Sequence, residues 1–232
     1  MDVIVFAGST ARAARTSSSI LLAAGAKSLG LEPLHVQVLT DGGVPALVDV
    51  TGVPFATSTL KAKRGEPITE RTRTRARRGT SHVIVDMPAQ DIRETLLMLG
   101  GMRPRILVLM PNWATDPGRA VSDFRIIREQ RDHWEELNRQ AGRPLADDYG
   151  RSRVWLFPIG WPAASSDDLR ALLRGRGHLP SEDSQYPILY PGLPMLDPGD
   201  MEFTDGSGRF ALTERQLEAA ARTAWPLCGD TA

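Results

Sequence analysis

The stretch "VIVFAGSTARAARTSSSILLAAGAKSLGL" (Val3–Leu31) decides how the chain is read. Val3–Ala7 is a short, unbroken apolar run, the pattern of a strand covered on both faces. Gly8, Ser9 and Thr10 interrupt it, and from Thr16 small and apolar residues continue to Leu29 in a helical pattern. Strand, turn and helix in that order are the parts of a phosphate-binding loop. Its glycines let backbone N–H groups converge on phosphate oxygens, and the helix start adds partial positive charge. A lysine then reaches the terminal phosphates, and the next Ser or Thr hydroxyl takes Mg²⁺. Here Arg15, Thr16 and Ser17 stand where Lys-Thr-Thr belongs, and Ala14 takes the place of the last glycine.

Working outward, the first two-thirds of the chain alternates apolar runs with helical patterns. Strands are expected at Asp2–Ala7, Pro33–Leu39, His82–Asp86, Arg105–Met110 and Arg153–Phe157. Helices are expected at Thr16–Leu29, Ile68–Arg78, Asp91–Leu99, Gly118–Gln140 and Ser166–Arg174, the last capped by Ser165 or Ser166. This alternation predicts an α/β fold, a three-layer arrangement of a parallel sheet flanked by helices. One domain is expected over residues 1–232, with a Pro-rich surface segment and hairpin over 180–210 and a C-terminal helix over 213–223. Thr213 and Gln216 have the spacing of a capping box.

Bulk composition narrows the function classes. Charged residues make up 24% and formal net charge is zero, so no global field draws the chain to nucleic acid or an acidic membrane. A single cysteine, Cys228, excludes an intramolecular disulfide, and His35, His82, His133 and His178 lack metal-ligand spacing. No apolar run approaches the roughly 18 residues of a membrane span. The chain opens directly into a strand rather than a secretion signal, so a cytoplasmic protein is expected.

The loop and its flanking elements resemble the deviant Walker ATPases related to ParA and MinD, whose loop reads K-G-G-V-G-K-T-T. The resemblance runs over Met1–Ile159 in the order of elements, but Ala11, Arg12 and Ala14 replace the glycines. It implies a P-loop NTPase-like fold and a nucleotide site for ATP and Mg²⁺ at Gly8, Thr10, Arg12, Ala14, Arg15, Thr16 and Ser17. Thr10 matches the family's signature lysine and Arg15 its loop lysine. "SHVIVDMPAQD" (Ser81–Asp91) is similar to the family's strand ending in Asp-x-Pro, which gives Asp86 a place beside Mg²⁺ with Thr16. The family's switch aspartate, which positions water, has no clean match: Val38 occupies its place and Asp41 lies about one position away. Asp86 and Asp41 are thus the catalytic candidates, and hydrolysis is expected to be weak or absent. In "ILVLMPNWATDPGRAVSDF" (Ile106–Phe124) Asn112 falls on the same rim and is a further nucleotide-site candidate; Trp155 reads as core, and Trp161 as a packing residue or one on the rim.

By that resemblance the chain is a nucleotide switch or pseudo-ATPase in plasmid partition, mobilisation or intracellular positioning, acting with a homodimer partner or an adaptor protein. In "KAKRGEPITERTRTRARRGT" (Lys61–Thr80), Arg71, Arg75 and Arg78 share one face of a continuous helix and offer a DNA contact, against a solvated arginine-rich face. Two other classes remain open. "FAGSTARAARTSSS" is also similar to the flavin-phosphate loop of NADPH-dependent FMN reductases, although their downstream flavin loop is missing. A nucleotide-free interaction scaffold is the third.

Overall fold

The computed structural model describes residues 2–10, 14–40, 45–47, 50–100, 104–112, 118–142, 154–162, 165–177, 179, 186–194 and 203–228. Within them lie six parallel strands: β1 (Asp2–Ala7), β2 (Pro33–Leu39), β3 (Ala56–Lys61), β4 (His82–Asp86), β5 (Arg105–Pro111) and β6 (Val154–Ile159). The helices are α1 (Arg15–Ser28), α2 (Thr69–Arg75), α3 (Ile92–Met98), α4 (Gly118–Gln140), α5 (Ser166–Gly175) and α6 (Glu214–Cys228). The strands form one sheet in the order β3-β2-β4-β1-β5-β6, so the chain first winds away from β1 in one direction and then in the other.

Side chains alternate between the two faces of each strand. Ile4 and Phe6 of β1, with Ile84, Leu107, Leu109 and Phe157, form a core under α1 and α6. Val5 and Ala7, with Val36, Val83, Val85 and Val108, form a second core under α3, α4 and α5. The three-layer arrangement predicted from the sequence is what forms. α1 lies unusually close to α6: a Cβ on Gly25 would meet the Ala220 carbonyl oxygen at 2.1 Å. That contact seats α1, and with it the loop before it.

β3 was not expected. Its sequence ATSTLK buries only Leu60 and lies on the sheet edge, so it lacks the apolar run by which the other strands were found. α2 ends at Arg75 rather than Arg78, because Ala76 turns to an extended conformation with ψ of 123°. The Pro-rich region does more than wrap the surface. Its described part hydrogen-bonds along β6, with Leu156 N–H donating to Pro187 O and Leu193 N–H to Pro158 O. The capping box is present: Thr213 N–H donates to Gln216 Oε1 and Gln216 N–H to Thr213 Oγ1. α6 continues from there to Cys228, past the expected end. Among the described residues no helix is long and apolar enough to cross a membrane.

Candidate functional site

In an open parallel sheet, ligands bind beyond the carboxyl ends of the strands where the winding direction reverses. Here that point is the end of β1, between β4 and β5. A cleft of about 350 Å³ opens at this rim, on the β4 and β2 side of the α1 start. Its walls are the first turn of α1, the end of β2 from Gln37 to Thr40, and Asp86–Ala89.

Two local features aim α1 at the cleft. Ala14 adopts the left-handed conformation, φ 53° and ψ 29°, and serves as the N-cap with no side-chain cap. An alanine there costs about 1–2 kcal/mol, so the surrounding loop enforces a conformation that glycine would take freely. The helix ladder then begins with Ser18 N–H donating to Ala14 O, which leaves the first-turn N–H groups directed out of the helix start.

The second feature is a polar seam between α1 and the sheet. Thr16 Oγ1 donates to Asp86 Oδ2 at 2.7 Å. One turn on, Ser19 Oγ donates to Thr16 O at 2.8 Å and lies 2.9 Å from His35 Nε2. Ser19 has one proton, and it goes to Thr16 O, so the His35 Nε2–H is the donor in their contact. Gln37 is the register neighbour of Asp86 across β2 and β4, and its Oε1 accepts from Ala46 N–H at 2.8 Å.

Asp86 is 3% exposed, and burial pushes its pKa up to about 6, against the Thr16 hydroxyl, the Arg15 charge and Gln37. His35 is pushed down to about 4 by burial and stays neutral. Arg15, also buried, turns its guanidinium onto the loop carbonyls. Its Nη1 donates to Gly8 O at 3.1 Å and Thr10 O at 2.6 Å, and burial lowers its pKa against the pull of Asp86 and Asp123.

The far side of the loop is held by α4. Ser9 N–H donates to Asp123 Oδ2 at 2.7 Å, and the Ser9 hydroxyl lies 2.8 and 3.0 Å from the two carboxylate oxygens. Arg119 Nε donates to Ser9 Oγ at 2.6 Å. Burial raises the Asp123 pKa, against the Ser9 bonds and the Arg119 charge.

Of the residues singled out in the sequence, Gly8, Thr10, Ala14, Arg15, Thr16, Ser17 and Asp86 converge on this rim. Arg12 and Asp41 lie outside the described residues. Asn112 sits at the end of β5 but is spent on the β6 side: its Nδ2 donates to Gly160 O, and its Oδ1 accepts from Arg176, which stacks over Trp161. Val38, at the place of the family's switch aspartate, is a buried apolar residue. Gln37, His35 and Asp123 were missed. Gln37 is one position before Val38, and only the strand register aligns it with Asp86. Asp123 lies 114 residues from Ser9, and no local pattern announces the pair. Among the described residues, no group of three or more His, Cys, Asp or Glu side chains is placed to hold a metal ion.

No protein-family model and no curated protein sequence matches this chain. Its fold is similar to the solved structure of the MinD cell division protein of Aquifex aeolicus, with a TM-score of 0.55 and 13% identity, over 100% of this chain and 99% of that one. The likeness is one of fold: a parallel α/β sheet flanked by helices, like that of the MinD structure.

Proposed function

We propose that the chain is a nucleotide-binding switch of the ParA/MinD kind that takes Mg²⁺–ATP at the Thr16–Asp86 cleft and turns it over weakly or not at all. The supporting observation is the Thr16 hydroxyl set 2.7 Å from a buried carboxylate at the mouth of a helix start. Both are hard oxygen donors, and Mg²⁺ is held by one or two such groups together with phosphate oxygens and water. A cation there would also offset the burial that raises the Asp86 pKa. A bound Mg²⁺ would supply charge neutralisation to the phosphates. Thr16 and Asp86 would hold the ion, and the α1 start would face the phosphates.

Weak turnover follows from the remaining groups. Arg15 is committed to loop carbonyls, and Val38 has no proton to exchange. An occupied site that hydrolyses slowly signals by its occupancy, which suits a positioning or partition protein whose partner is an adaptor or a second copy. Isothermal titration with ATP·Mg²⁺ tests the reading. Heat of binding is expected for the wild type and a loss of at least tenfold in affinity for Thr16→Ala. No heat up to millimolar nucleotide would remove the switch.

A further inference from the structure

We propose that Asp123 is an internal anion of the loop, a carboxylate that occupies its Ser9 end and that a phosphate-bearing ligand must displace, so that α4 reports on occupancy. This inference rests on the phosphate-ligand reading of the site above. It starts from the Gly8–Ser9 peptide, whose C=O and N–H point in opposite directions because the unit is planar and trans. Arg15 Nη1 holds the Gly8 oxygen on one side at 3.1 Å, and Asp123 Oδ2 takes the Ser9 N–H on the other at 2.7 Å. The first amide of the loop is therefore committed to an anion, and that anion belongs to the protein.

The Ser9 side chain is committed as well. Its hydroxyl donates to the Asp123 carboxylate and accepts from Arg119 Nε at 2.6 Å. A cationic Arg119, a Ser hydroxyl and a backbone N–H around one carboxylate make the kind of setting a phosphate oxygen seeks. Asp123 is 5% exposed and is held there by Ala120, Val121, Phe124 and Ile127, which pack α4 into the core. At Gly8, φ is 145°, and a Cβ would lie 3.8 Å from Asp123 Oδ2. A ligand phosphate entering the loop meets the Asp123 charge across a poorly screened gap, and like charges so placed repel. Binding then favours release of the Ser9–Asp123 contact, and α4, which carries Asp123, is the element that shifts.

The test compares wild type, Asp123→Asn and Ser9→Ala by isothermal titration, with ATP·Mg²⁺ and with inorganic pyrophosphate as separate probes. Asp123→Asn keeps the size and removes the charge, and at least tenfold tighter binding of both probes is expected. Ser9→Ala removes the hydroxyl contacts and covers the case in which Asp123→Asn does not fold; a smaller gain in the same direction is expected. In hydrogen exchange, saturating ATP·Mg²⁺ is expected to loosen the amides of Ala120–Ile127 in the wild type and leave them unchanged in Asp123→Asn. A merely structural role for Asp123 lowers the melting temperature without raising affinity. Finite and equal affinity in all three proteins overturns the latch and leaves the phosphate-ligand reading standing. Binding in none of them overturns both. Binding confined to Asp123→Asn supports the latch and removes the wild-type switch.

Discussion

Asp86 and His35 lie on adjacent strands beneath α1, and burial displaces the pKa of each so that both titrate over one pH range. Asp86 moves from 3.8 up to about 6 and His35 from 6.5 down to about 4. The native state thus holds the Asp86 proton more tightly than the unfolded chain, and this contribution to stability, full below pH 3.8, is lost as pH rises through about 6. For His35 the native state resists protonation, and its contribution, full above pH 6.5, is lost as pH falls through about 4. Each shift corresponds to about 3 kcal/mol, and the two contributions oppose one another, nearly cancelling between pH 4 and 6. Asp86→Asn in metal-free buffer removes one side of the balance. Urea unfolding across pH should then show stability falling by about 3 kcal/mol on acidification from pH 6.5 to 4. A profile parallel to wild type would contradict the buried, paired picture. Ala14 gives a second residue-scale prediction. Left-handed alanine costs about 1–2 kcal/mol, and glycine's extra chain entropy costs about 0.5–1 kcal/mol. Ala14→Gly should therefore stabilise the fold by roughly 0.5–1 kcal/mol, read from the same denaturant midpoints.

At the scale of elements, what could be read in the sequence depended on how far each element's chemistry was local. β4 was evident because all five of its residues are buried and the run is apolar up to Asp86. β3 was hidden because an edge strand needs one inward residue, Leu60, and tolerates polar ones elsewhere. Thr16 and Asp86 could be named because each ends an element whose pattern is plain. Gln37 and Asp123 could not, since their roles depend on strand register and on packing across the sheet. α2 illustrates the limit of periodicity. Arg71, Arg75 and Arg78 fit one helical face on paper, but the helix stops at Arg75. Arg71 bonds Glu66 and Lys61 O, and Arg75 bonds Ser58. If this edge contacts DNA, Arg78→Ala should weaken duplex binding at low salt more than Arg71→Ala, lowering the slope of log affinity against log salt by about 0.9. Fluorescence anisotropy across a salt series measures this. Equal losses from both variants, or no loss from either, would argue against the edge.

For the whole molecule, an open six-stranded sheet leaves two edges, and the chain guards them differently. The β3 edge is polar and carries Lys61, a charge that discourages pairing with another strand. The β6 edge is apolar, VWLFPI, and residues 186–194 are laid along it as an irregular extra strand. Four backbone bonds hold them: Leu156 N–H to Pro187 O, Leu189 N–H to Leu156 O, Leu193 N–H to Pro158 O, and Gly160 N–H to Leu193 O. The approach is close enough that a Cβ on Gly192 would lie 2.1 Å from Pro158 O, a backbone atom with no room to yield. Gly192→Ala must therefore lift this segment off β6 or distort the strand, at a cost of about 1–3 kcal/mol. Lifting exposes the row of β6 backbone groups that pairs most readily with another chain. The expected result is faster hydrogen exchange at the Leu156 and Gly160 amides, with light scattering rising at concentrations where the wild type stays clear. If protection at Leu156 and Gly160 is unchanged in Gly192→Ala, the Pro-rich segment is not what shields this edge, and β6 must be protected by its own sequence.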